Sequence, residues 1–378
     1  MTIALVSRTD EREVRSEKIL HSLTRRGYHC LFVGWNRLSD GWQPEQAVWE
    51  RRVWLQPAGT GVGAAKHLFR FRQFVGDTLR QHPVQLAIGV NEEVIYLLKN
   101  WRGRYFSKLL LDAHDELDTR VRTANPLLQA TLSYVAGQAR DSADAIFCVH
   151  PHRREAYHPA HQLKTVTLRN YPTDVGELVW NRIPQGEFRI FAGGALSRQR
   201  GLEFLLKAAE RTAVPIVSAG RLMDDYARNI FCRHPLVRYR GCLSVGDAMA
   251  QLADCHASVA FYAPGPRINC LAAPNKVYDA VCVGRPILIS DETEVADWVE
   301  RNRTGLRVRY GDVEGLAAQI QALKANQSEL PSFAVRAREL FREGYSWESQ
   351  EPVLYSAVHN ALRSVPGAAP SLLKSVAG

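Results

Sequence analysis

Apolar runs of strand length alternate with helix-length segments along most of this chain. Thr2–Val6 is a short apolar run that meets Arg8, Asp10, Glu11 and Arg12, which fits a first strand rather than a signal peptide. Residues 14–26 carry helical spacing and stop at Gly27, and 28–34 form a second apolar run. Runs at 84–88, 108–111, 145–149 and 165–168 follow, with helical segments such as 65–80 and 126–140 between them. That order predicts a parallel sheet with helices on both faces.

From Tyr171-Pro172 to Gly186 the pattern lapses into Pro, Gly and charge, which reads as a linker. The alternation then restarts. Strands are expected at 189–192, 215–219, 237–240, 257–261, 286–290 and 305–309, with helices at 202–210, 245–252, from Asn275, at 294–300 and from Val313 onward to Leu362. Residues 364–378 are small, contain Pro and are expected to fray. Two halves of one architecture imply two doubly wound domains with a cleft between them, ligands binding beyond the strand ends.

Composition adds little to this picture and charge adds something. The 378 residues are 46% hydrophobic and 23% charged, a globular balance sufficient for two full cores. No apolar run approaches the roughly 18 residues of a membrane span. The seven cysteines include no Cys-x-x-Cys pair, which favours reduced thiols over a disulfide frame or zinc site. The formal charge is +9 and is concentrated: residues 51–108 hold ten Lys or Arg against Asp77, Glu92 and Glu93, 10 − 3 = +7. Phe69, Trp101 and Phe106 lie among those cations, a mixture suited to an anionic membrane surface, although a solvated helix face has the same composition. No nucleic-acid module is recognisable, so nucleic acid is not expected as a partner.

Two segments could carry chemistry. Strand residues Phe191-Ala192 run into Gly193-Gly194-Ala195-Leu196-Ser197-Arg198-Gln199-Arg200-Gly201 and then a helix. Glycines after a first strand let the backbone approach a phosphate, and arginines add charge-assisted bonds. A tight turn with solvated arginines reads the same way. Further on, Pro274-Asn275-Lys276-Val277-Tyr278-Asp279 precedes Gly284-Arg285-Pro286. Asn275 is placed to cap a helix, with Lys276 and Asp279 three apart on one face, where the cation suits a diphosphate and the carboxylate suits ribose hydroxyls. An ordinary crossover with solvated charges is the plain alternative. In the first half, Asp112-Ala113-His114-Asp115 ends a buried run, where His114 faces a ligand or simply packs.

In order and spacing these segments resemble retaining glycosyltransferases of family 4, which have the GT-B fold. The 194–201 segment resembles the opening of their donor domain, and 274–279 with Gly284-Arg285-Pro286 resembles the helix bearing the second glutamate of the Glu-x7-Glu motif. Thr304-Gly305-Leu306, Gly311-Asp312, Tyr345-Ser346-Trp347-Glu348, residues 14–27 and Leu168-Arg169-Asn170-Tyr171-Pro172 continue the likeness. The resemblance implies an α/β GT-B chain, two doubly wound Rossmann-like domains facing a central cleft. They would be an acceptor domain at 1–172 and a donor domain at 187–344, with a helix at 345–363 crossing back to the first. It implies sugar transfer from a nucleotide-diphosphate donor, a UDP or GDP sugar first in line, to a glycan, glycolipid or other hydroxyl acceptor, with retention and no metal or other cofactor.

By the same resemblance Gly194, Arg200, Gly241, Asn275, Lys276 and Asp279 would bind donor, with Arg200 on the diphosphate and Asp279 in place of the ribose-binding glutamate. Arg15, His114 and Asp115 would meet the acceptor, and His114, Arg200 and Lys276 would serve catalysis. The chain departs from the pattern at Asp279, one methylene short, at Leu271 in place of the first glutamate, at Ala195 in place of an arginine, and at 8–15 in place of a glycine-rich loop. It contains no Asp-x-Asp, so Arg200 and Lys276 would take the charge-neutralising work of a metal. The expected setting is cytoplasmic, at the inner face of a membrane. A sugar-nucleotide 2-epimerase of the same fold, and a catalytically silent nucleotide-binding scaffold, are the competing readings.

Overall fold

Two parallel sheets organise the chain. The computed structural model describes residues 1–10, 13–37, 47–58, 66–117, 121, 123–180, 182–265, 267–270 and 274–363. It divides into two units, Met1–Arg169 with Gln350–Gly378, and Asn170–Ser349. Leu271, Asp118 and the 364–378 tail lie outside the described residues.

The first unit holds β1 (Thr2–Val6), β2 (His29–Asn36), β3 (Glu50–Leu55), β4 (Leu86–Val90), β5 (Lys108–Ala113), β6 (Ala145–Cys148) and β7 (Thr165–Thr167). They pair in parallel in the order β3-β2-β1-β4-β5-β6-β7. Such a sheet is covered on both faces, and β4 is buried at every position. Phe71, Val75 and Leu79 of the helix Leu68–Gln81, Val94, Ile95 and Leu98 of Glu92–Leu98, and Ala139 of Pro126–Ser142 pack in one core with strand residues. β3 was not expected from sequence: Glu50-Arg51-Arg52 is too charged for a buried run, yet charge suits an edge strand.

The second unit holds β8 (Ile190–Leu196), β9 (Ile216–Leu222), β10 (Val237–Tyr239), β11 (Ala257–Ala260), β12 (Ile287–Ser290) and β13 (Gly305–Val308), ordered β10-β9-β8-β11-β12-β13. Strand order reverses between β1 and β4 in one sheet and between β8 and β11 in the other, the switch points at which open α/β sheets bind ligands. Residues read as a linker group with this unit: Val175 and Val179 pack beside Phe191 and Val217, and Asp174 accepts two bonds of 2.8 Å from Arg338. The helix Trp347–Arg363 groups with the first unit from Gln350, where Glu351 accepts from Ser22 Oγ at 2.7 Å and Tyr355 donates to the Ser22 carbonyl at 3.1 Å.

The basic–aromatic cluster is only partly a surface. Phe106 is 3% exposed, because it packs into the core just ahead of β5. Trp101 lies over Gly76 with the Arg72 guanidinium 4.5 Å above its ring. Arg102 and Lys108 both pair with Asp144. Of the three aromatics expected to anchor in lipid, Phe69 alone is fully presented, at 70% exposure.

The Gly284-Arg285-Pro286 turn hides a structural cation. Arg285 is 2% exposed and donates to the carbonyls of Ala253, Cys255, Val283, Gly284 and Arg182, closing the ends of the helices Val245–Ala253 and Asn275–Cys282. Burial among carbonyls pushes its pKa down to about 10. Arg285→Met strands those acceptors, so urea melts should show a loss of about 3 kcal/mol, one to two unsatisfied buried groups' worth. A loss under about 1 kcal/mol would mean that the carbonyls find other partners.

Candidate anion site at the second switch point

β8 does not end at its glycines, as the loop reading required. Gly193, Gly194 and Ala195 continue the strand, paired with Ala219, Gly220 and Arg221 of β9. The crossing is close: Gly220 has φ +133°, and a Cβ there would sit 1.9 Å from the Gly194 carbonyl oxygen. Gly194 has φ +87°, and Lys276 Cε lies 3.2 Å from where its Cβ would be, so Lys276 lies over bare backbone. The Gly220 amide donates to the Gly241 carbonyl at 2.8 Å, which brings Gly241 to the same sheet edge.

The 198–200 turn is pinned from three sides. The Arg198 amide donates to Asp224 Oδ2 at 2.7 Å, the Arg198 carbonyl accepts from Tyr310 at 3.1 Å, and the Gln199 carbonyl accepts from the Ala263 amide at 3.1 Å. Arg198 itself is spent on Glu203, 3.0 Å away. Arg200 is different. Its guanidinium lies 4.0 Å from the centroid of the Tyr262 ring, and its Nη1 is buried without a hydrogen-bond partner. Lys276 is half-buried, and its pKa is pushed down to about 8, by burial first and then by Arg200, with Asp279 opposing. Asn275 is exposed and opens the helix, but Pro274 occupies the cap position and no side chain caps it. The donor residues expected from sequence thus converge in Gly194, Arg200, Lys276 and Asp279, with Gly241 at the neighbouring strand end. Tyr262 was missed, because Phe261-Tyr262 after an apolar run reads from sequence as core.

The residues expected at an acceptor form a closed network at the first switch point. Arg15 is 1% exposed rather than free for a ligand. Its Nε and Nη2 donate to the Asp112 carboxylate at 2.7–3.1 Å and its Nη1 to the Leu168 carbonyl at 2.8 Å, so it is a core cation. His114 places Nε2 2.7 Å from Asp112 Oδ2 and Nδ1 3.5 Å from Glu13 Oε1. Burial opposes its charge, but Glu13 and then Asp112 outweigh burial and raise its pKa. Both ring nitrogens thus face carboxylates, an arrangement that favours the charged ring. The His114 amide donates to Asn91 Oδ1 at 2.9 Å, and its carbonyl accepts from Arg153, which also pairs with Asp115 at 3.2 Å.

Comparison with known proteins bears on the fold. Residues 187–326, within the second unit, match the family model described as glycosyl transferases group 1. Among solved structures, sucrose-phosphate synthase from Thermosynechococcus elongatus superposes with a TM-score of 0.72 at 16% identity, over 97% of this chain and 100% of that one. The Anabaena protein HepE in complex with UDP-glucose gives 0.70 at 12% identity, over 95% and 100%. WaaG, a glycosyltransferase involved in lipopolysaccharide biosynthesis, gives 0.62 at 13% identity, over 97% and 100%. The architecture is GT-B. No curated protein sequence matches the chain.

The depressed Lys276 pKa makes anion binding pH-dependent. A bound diphosphate favours the ammonium and raises that pKa, so above about pH 8 binding must take up a proton and affinity should fall as pH rises. Calorimetry of a nucleoside diphosphate in buffers of different ionisation enthalpy should show uptake at pH 8–9. In Lys276→Met the uptake should vanish and binding weaken by about 1.5–3 kcal/mol, and Arg200→Ala should weaken it by a similar amount. Unchanged affinity in both variants would remove the diphosphate from this site.

Proposed function

We propose that this chain is a glycosyltransferase that moves a sugar from a nucleoside-diphosphate donor, a UDP or GDP sugar, to a hydroxyl acceptor, with retention and without metal. The observation that carries the reading is the unpartnered, buried Nη1 of Arg200 at the β8–β11 switch point, beside the Lys276 ammonium. A desolvated guanidinium donor is costly unless an anion completes it. In the reaction the bond from the anomeric carbon to the diphosphate breaks, a bond to the acceptor oxygen forms, and the hydroxyl proton passes to the departing phosphate. Negative charge grows on the leaving group, and Arg200 and Lys276 are positioned to neutralise it. The solved HepE complexes hold UDP and UDP-glucose, which supports a uridine donor for a chain of this fold. Asp279 would accept from ribose hydroxyls, and His114 would serve the sugar or acceptor end.

Incubation with UDP- or GDP-sugars and a panel of glycan and glycolipid acceptors tests this. Nucleoside diphosphate should be released only when acceptor is present, and release should persist in EDTA. Conversion of donor alone to a new sugar nucleotide would show an epimerase, nucleotide binding without turnover a scaffold, and activity restored only by Mg²⁺ or Mn²⁺ would contradict the role given to Arg200 and Lys276.

The acceptor side is proposed to touch an anionic membrane. No helix among the described residues is long and apolar enough to cross one. The helix Pro126–Ser142, however, buries only Ala136 and Ala139 and exposes Leu127 at 80%, Leu128 at 47% and Tyr134 at 61%. Its Ala139 shares one hydrophobic core with Phe71, Val75 and Leu79 of the helix Leu68–Gln81, which presents Phe69 and Arg70. Apolar side chains beside cations suit peripheral binding, each cation near the surface contributing about 1 kcal/mol. The protein should sediment with phosphatidylserine-containing vesicles at low salt and much less at high salt, and Phe69→Glu/Leu127→Glu/Leu128→Glu should remain in the supernatant. Sedimentation of that variant at the wild-type level would overturn this contact.

A further inference from the structure

We infer that Tyr262 is a positioning residue for the donor site: its ring face holds the Arg200 guanidinium so that the unpartnered Nη1 stays aimed at the phosphate. The inference rests on the donor-site reading above.

Tyr262 stands directly beyond β11, where the side-chain alternation of an extended chain sends neighbours to opposite faces. Phe261 packs into one core with Leu205, Ile190 and Val259, its ring 4.6 Å from Phe204. Tyr262 enters the other core, with Val277 and Ala280 of the helix that carries Lys276 and Asp279. Its backbone is fixed as well: the Tyr262 amide donates to Ser290 Oγ at 2.8 Å, and the next amide, Ala263, holds the Gln199 carbonyl. The ring is 9% exposed. One side chain therefore touches Arg200 and packs against the Lys276 helix.

The chemistry of the contact is a cation on an aromatic face. Burial raises the phenol pKa, with Arg200 pulling it down and Asp279 up, so the neutral ring meets the guanidinium. At 4.0 Å from the ring centroid, the guanidinium is well inside the range of such interactions, and desolvation strengthens them. The ring attracts through its π face and takes no hydrogen from the guanidinium edge, so it orients the group without consuming Nη1. A carboxylate in its place would hold Arg200 more tightly and neutralise the charge the donor needs.

The test is a graded change of ring electrostatics at constant shape. Phenylalanine and its mono-, di- and trifluorinated forms are installed at position 262 in the full chain, and affinity for UDP and GDP is read by calorimetry alongside thermal melts. Tyr262→Phe should bind like the wild type. Fluorination should weaken binding stepwise, by roughly three- to thirtyfold in total, the range of a desolvated cation–π contact, with melting temperatures nearly constant. In the Arg200→Ala background the series should be flat. A flat series with Arg200 present overturns the inference and leaves the donor site standing, provided that Arg200→Ala alone weakens binding. The same slope with and without Arg200 also overturns it, since the ring would then act by another route. Arg200→Ala that binds like the wild type removes the donor-site reading and this inference together.

Discussion

The Arg200 guanidinium on the Tyr262 ring is the contact on which the account of the second unit depends. Leaving a buried N–H without a partner costs about 1–3 kcal/mol, so the fold must hold it there by other means. It does so by fixing the backbone of 198–200 to Asp224, Tyr310 and Ala263 and by stacking the side chain on a buried ring. Lys276 obeys the same logic. Burial first and the neighbouring Arg200 second disfavour its ammonium, and both lower its pKa. An anion with more than one charge relieves both at once. Functional sites are where a fold tolerates such local conflicts.

The glycines make the conflict possible. A side chain on Gly220 would run into the Gly194 carbonyl, and the bare backbone at Gly194 leaves room for Lys276 to lie across β8. The first unit has solved its switch point in the opposite way. Arg15, Asp112, His114 and Glu13 satisfy one another in a network centred on the buried Arg15–Asp112 pair, and Arg285 in the second unit is likewise saturated by carbonyls. Arg15 and Arg285 are saturated and hold structure, whereas Arg200 keeps a buried donor open. That contrast, more than residue type, separates Arg200 from Arg15 and Arg285.

Periodicity made most strands and helices legible, because a parallel sheet covered on both faces writes its burial directly into apolar runs. Thr2–Val6 appears as expected, and the helix at 202–210 extends only to Thr212. The glycine stretch misled: Gly193-Gly194 has low strand propensity, and its pairing with Gly220 depends on a segment 26 residues away. The cations were legible as cations but not by role. Arg15 finds Asp112 across 97 positions, and Arg285 finds carbonyls 30 and 32 positions away, neither with a local signature. Asn275 has the residue type of a cap, yet Pro274, with fixed φ and no N–H to lose inside the helix, takes that place. Tyr262 reads from sequence as one more core aromatic, and only the fold brings Arg200 to its face.

A crystal structure of the chain with bound UDP tests the central claim most directly. The account predicts diphosphate oxygens within hydrogen-bond distance of Arg200 Nη1 and Lys276 Nζ, over the Gly194 backbone, with the guanidinium still on the Tyr262 ring. A diphosphate bound elsewhere, with Arg200 Nη1 still unpartnered, would contradict it.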